Sequence, residues 1–190
     1  NQDSGSDLGK FMATHKVFTD QIPDNLVVKL VTEIDGNSNA NGVFVTENGV
    51  PTIYIMDTLD TQDTLDILTH ELLHATTHKV LGHYFTSRGK SLLSTNQVKA
   101  IKDIMGTMSS ILSEDNLPSQ LKIVKDLYDE AMKHHGNSTL YQQGMYRAVS
   151  EFIAYGLTDT ESANLLHSKK SGTYKFGKEL VQKILNFLKQ

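Results

Sequence analysis

The chain reads as an α+β protein in which a small mixed β-sheet with an edge strand packs on one long helix and a mainly helical half follows. Three observations point there. Residues 41–55 carry β-branched and aromatic side chains on both sides of Asn48-Gly49, a strong short-range hairpin signal. From Asp60 onward the apolar residues recur at helical spacing. Between Thr95 and His135, and again around Val149, the helical period returns.

Each element has its own justification. The opening Asn1-Gln2-Asp3-Ser4-Gly5-Ser6-Asp7 is polar, and residues 1–16 are expected to be a mobile, linker-like segment joining a domain to a larger polypeptide. Residues 26–31, Leu-Val-Val-Lys-Leu-Val, predict a strand that ends towards Asp35-Gly36. In the hairpin, Pro51 lacks the N–H that an inner strand donates, which predicts that its strand lies at or near the sheet edge. Asp60 or Thr61 can cap the next helix, and Asp63 and Asp66 suit its positive end. Leu65, Leu68, Leu72 and Ala75, widened by Ile67 and Leu73, predict its apolar face, and Gly82 its stop. Residues 97–112 and 119–133 predict two helices separated by Asp115-Asn116-Leu117-Pro118, a helical stretch expected to wall a cleft. A further helix covers 146–156. Residues 175–189 predict a short amphipathic one with Leu180, Val181, Ile184, Leu185 and Leu188 inward.

Composition narrows the classes. With 190 residues, 38% of them hydrophobic and 21% charged, the chain can bury a core. The expectation is one domain over 17–190, with the sheet and long helix in 17–90 and a helical part in 91–190. A net charge of −4 and the lack of a basic patch with interleaved aromatics speak against nucleic acid as a partner. No apolar run has the length of a membrane span. The absence of cysteine excludes disulfides and thiolate metal sites, so any bound metal must be held by nitrogen and oxygen. The same absence fits secreted bacterial, cytosolic and phage proteins alike, and leaves the compartment open.

The chemistry-bearing stretch is His70-Glu71-Leu72-Leu73-His74. Histidines four apart on a helix lie about 6 Å along the axis and roughly 40° around it, so both imidazoles can reach one ion. Glu71 is rotated by about 100° from His70, where it can act on a water as general base. A catalytic zinc needs a third protein ligand and an open position. His78 continues the series but lies about 12 Å along the axis from His70. His83 could contribute only if the helix ended early. A stronger candidate is Glu151, a lone acid among Val149, Phe152 and Ile153, with the small Ala154 one turn on allowing close helix approach. The competing reading of Glu151 is a solvent-facing acid on an amphipathic helix. Thr77 and Val80 occupy the positions where a metzincin carries glycine and histidine, which excludes that family.

His70-Glu71-Leu72-Leu73-His74 with the distant Glu151-Phe152-Ile153-Ala154 resembles the gluzincin clan of zinc metallopeptidases, over roughly half the chain. The resemblance implies a zincin-like fold and a zinc-dependent metalloendopeptidase acting on a protein or peptide substrate. His70, His74 and Glu151 would bind Zn2+, and Glu71 would take the proton of a zinc-activated water. It also implies that an edge strand just before the motif helix binds substrate by strand addition. Many members place an aspartate four residues after the glutamate ligand; here that position is Tyr155. An oxyanion donor is open among Tyr155, Tyr146, Tyr141, His135, Arg147 and His167, with Tyr155 the first choice. The alternative class is a non-catalytic module of the same fold, serving binding or scaffolding in a larger protein. A helical partner-binding domain with an accidental motif is the third reading.

Overall fold

A computed structural model describes residues 16–34, 40–86, 89–168, 170–171, 174–175, 183–184 and 187–188. Of the mobile segment expected over 1–16, residues 1–15 lie outside them, and Lys16 begins a short helix. The described chain is α+β: a three-stranded mixed sheet and otherwise mostly helix. It divides into two compact units, Asn1–Thr76 and Thr77–Gln190.

The first unit holds a short helix α1 (Lys16–Thr19), strands β1 (Val27–Val31), β2 (Gly42–Glu47) and β3 (Val50–Met56), and most of helix α2 (Thr61–Tyr84). Asn48 and Gly49 both take positive φ, 49° and 83°, as the two-residue turn between twisted antiparallel strands requires. The strand order is β1-β3-β2, with β1 parallel and β2 antiparallel to β3. The Pro51 strand is therefore central, which corrects the edge placement read from the proline. Glu47 pairs Val50 beside the turn, so the next pair, Thr46 with Pro51, exchanges no ladder bonds and the proline nitrogen faces away from β2. On that other side β1 begins only at the pair Val27 with Thr52. The missing N–H falls just outside both ladders. The edge strand next to Glu71 is β2.

Ile53, Ile55 and Ala75 form a buried cluster, joined by Leu26, Phe44, Leu59, Ile67, Leu68 and Leu72. One sheet face thus packs on the stripe of α2 anticipated from its period. Leu65 departs from that expectation and is 48% exposed; it lies in the first turns, about 90° from the centre of the sheet-facing stripe. Leu73, Thr76, Val80 and Leu81 shield a second flank of α2 from solvent, as in a helix buried on both sides. On the outer sheet face Lys29, Tyr54 and Glu47 bond across all three strands.

Helix α2 does not stop at Gly82 but runs to Tyr84. A mid-helix glycine costs about 1 kcal/mol, and burial of Val80, Leu81 and Phe85 around it outweighs that. The second unit continues with a 3-10 turn (Gly89–Leu92), α3 (Thr95–Leu112), α4 (Ser119–Lys133), α5 (Ser138–Thr158), α6 (Thr160–Ser168) and a small hairpin of β4 (Lys170–Ser171) and β5 (Tyr174–Lys175). Ser94 and Gln97 form a reciprocal capping box that starts α3. Gly144 lets α5 approach α4 at Ala131, whose Cβ would stand 2.7 Å from a Cβ on residue 144. The terminal helix expected from 175 begins later, because Lys175 belongs to β5. Residues 183–184 and 187–188 are helical, and Ile184, Phe187 and Leu188 are buried; Leu180, Val181 and Leu185 lie outside the described residues.

Ile53 is fully buried between the sheet and α2. Ile53→Ala is expected to cost about 2–5 kcal/mol, measured by chemical denaturation. A loss below 1 kcal/mol on the same scale would mean that the sheet does not rest on this helix.

Candidate metal centre

Asp60 begins the local construction. Its Oδ1 accepts from the Asp63 backbone N–H at 2.8 Å, so the first turn of α2 is capped by a carboxylate at the positive helix end. The helix then carries His70 and His74 to one strip of its surface, both partly buried. Their Nε2 atoms stand 3.1 Å apart, with ring centroids at 4.8 Å and planes at 76°. Two imidazole nitrogens so close must share either a proton or a cation. Donors at that separation subtend about 100° at an ion about 2.0–2.1 Å from each, near the tetrahedral value. The spacing of the pair suits a shared metal ion.

Glu71 lies on the sheet side of this pair, about 60° around the helix from His74, and is only 6% exposed. Ligand-type atoms of His70, Glu71 and His74 all fall within 4.8 Å of one another. Two donors bound to one zinc can be no more than about 4.3 Å apart. A set that opens to 4.8 Å therefore suits two nitrogen ligands with the carboxylate one water away better than three direct ligands.

Sequence reasoning missed the residue that shuts Glu71 in. A Cβ on Gly42 would stand 3.3 Å from Glu71 Cγ and 3.4 Å from its Oε1, and would collide with Ile67 Cγ2. The start of β2 thus lies with its bare backbone on the carboxylate, and only glycine leaves room there. The Asn41-Gly42 pair reads as a turn signal, and the contact depends on which strand meets the helix.

Glu151 lies on α5 in the second unit, partly buried, with its Oε2 shielded from solvent. Its neighbours Val149, Phe152, Ile153 and Ala154 are fully buried, while Arg147, one turn before it, is exposed. Tyr155, one turn further on, is half-buried. His78 Nδ1 and the Tyr146 hydroxyl are hydrogen-bonded at 2.7 Å, so that nitrogen has a protein partner. Because α2 runs through Gly82, His83 stays about 20 Å along the axis from His70 and cannot fold back to share an ion.

Burial lowers the His78 imidazole below its ordinary value. Burial, then the charge of Glu151, pushes the Tyr146 hydroxyl up to about 12, so it stays protonated. Of the other oxyanion candidates, Arg147 is exposed and His167 Nδ1 bonds its own helix at Ala163 O, 2.7 Å away. His135 and Tyr141 pack edge to face, with centroids 5.2 Å apart. The residues that converge within one unit are His70, Glu71 and His74. Comparison with protein families, curated proteins and solved structures finds no match for this chain.

Gly42→Ala is expected to cost about 1–3 kcal/mol by overpacking against Ile67 and Glu71, read from denaturation midpoints; wild-type stability would mean that β2 does not press on Glu71. His78 carries a pH signature. The unfolded ring protonates near 6.5 and the folded one lower, so its stabilising contribution is complete above 6.5 and drains away as pH falls below it. Between about pH 8 and about pH 5, the urea midpoint of wild type should fall more than that of His78→Gln. Parallel curves would remove His78 as the source.

Proposed function

We propose that this chain is a zinc-dependent metalloendopeptidase of gluzincin type. The observation that supports it most is the 3.1 Å convergence of the His70 and His74 Nε2 atoms beside the buried Glu71 carboxylate. The donor set fits zinc: two imidazole nitrogens at ligand spacing, carboxylates nearby and no thiolate. His70, His74 and Glu151 are the proposed ligands, Glu151 on the ground that a carboxylate withdrawn from solvent in an apolar helix suits a cation. A bound zinc ion supplies Lewis acidity to the scissile carbonyl and the attacking water.

The protein's own groups do the rest. Glu71, pinned between Gly42 and the histidine strip, takes a proton from the attacking water and returns it to the departing amine nitrogen. Its burial keeps the carboxylate in one orientation and excludes bulk water from the proton path. Strand β2 pairs with β3 on one side only among the described residues. As an edge strand of the three-stranded sheet beside Glu71, β2 is the proposed place of strand addition by an extended substrate, the mode that the gluzincin resemblance implies. Tyr155 is the proposed donor to the oxyanion, four residues after Glu151 on the same helix side.

Cleavage of a mixed peptide pool, followed by mass spectrometry with and without chelator, tests the activity; metal content tests the site. Glu71→Gln should keep its zinc and lose activity by about 10²–10⁴-fold. Glu151→Ala should bind zinc far more weakly. A Glu71→Gln variant with wild-type turnover would remove Glu71 as base. Bound zinc without cleavage of any peptide would turn the assignment to a binding or scaffold module.

A further inference from the structure

His78 and Tyr146 lie on different helices of the second unit, and the chemistry proposed above uses neither. The Tyr146 hydroxyl and His78 Nδ1 share a hydrogen bond of 2.7 Å. Their rings meet edge on, with centroids 6.1 Å apart and planes at 88°. Phe85, itself buried, packs edge to face on Tyr146 at 6.4 Å. The bond is therefore short, directional and partly withdrawn from water, where it is stronger than a surface contact.

Its position in the chain is informative. His78 stands one helical turn beyond His74 on α2, and Tyr146 stands a little over one turn before Glu151 on α5. Tyr146 also feels the charge of Glu151. The packing around α5, through Ala148, Val149, Phe152 and Ile153, is apolar and fully buried. Such packing favours contact but tolerates sliding, and one residue of slip moves a side chain by about 1.5 Å. Metal–ligand distances tolerate only about 0.2 Å. A directional bond between the two helices supplies the missing axial restraint.

We infer that Tyr146 is a positioning residue: anchored by His78, it sets the register of α5 against the last turns of α2 and so the placement of the Glu151 carboxylate for metal binding. This rests on the reading of Glu151 as a zinc ligand. The test is zinc affinity, by competition with a chromophoric chelator, for wild type, Tyr146→Phe, Glu151→Ala and the double variant, with helix content followed by circular dichroism. Tyr146→Phe should keep its helix content and lose about 10- to 100-fold in zinc affinity. In the Glu151→Ala background the same change should add nothing, because the group it positions is gone.

Unchanged affinity in Glu151→Ala would sink the metal-site reading itself. Weakened affinity in Glu151→Ala together with a Tyr146→Phe effect that is absent, or equal in both backgrounds, would overturn only the positioning role. If Tyr146→Phe is too unstable to titrate, His78→Phe removes the same bond from the other partner and must show the same coupling.

Discussion

Helix α2 must bury two flanks and still present two imidazoles on the strip between them. The α-helical pitch, about 100° per residue, makes this possible. Ile67, Leu68, Leu72 and Ala75 fall on the sheet side, Leu73, Thr76, Val80 and Leu81 on the other, and His70 and His74 between. Every other feature of the candidate centre follows from that division. A residue inserted between 67 and 74 would rotate the histidines into one of the packed flanks.

The same geometry places Glu71 on the sheet side of the strip, where a carboxylate is costly to bury without polar or cationic company. The protein accepts that cost in a narrow space. The backbone of β2 lies on the carboxylate at Gly42, and two imidazoles stand on its other side. A group held this way keeps little rotational freedom. The strand that covers Glu71 at Gly42 is also an edge strand of the three-stranded sheet among the described residues.

In the second unit the balance of forces is different. Long apolar stripes on α3, α4 and α5 drive association, and small residues such as Gly144 and Ala131 set how close the helices come. These contacts are strong in sum and weak in direction. The His78–Tyr146 bond is the reverse, modest in energy but exact in geometry, and it links the end of α2 to the helix that bears Glu151. Burial of His78 disfavours its charged form.

Much of this was legible in the sequence wherever a signal is local. Asn48-Gly49 announced a turn because few other pairs accept two positive φ angles, and the bounds of α4 followed from Pro118 before it and the loss of period after Lys133. The convergence of His70 and His74 needed only helical spacing. Other features depend on residues distant in the chain. Pro51 could sit in a central strand because β1 starts pairing one residue later; Gly82 was carried through by the packing of its neighbours. Gly42 meets Glu71, and His78 meets Tyr146, only once strand and helices have been assembled. The sequence by itself determined the periods, the turn and the convergence of the two histidines, since each arises from the sterics of adjacent residues. Which strand lies inside, what covers the carboxylate and which hydroxyl holds which imidazole were decided by tertiary structure alone, because those contacts form between segments whose separation along the chain carries no local energetic trace.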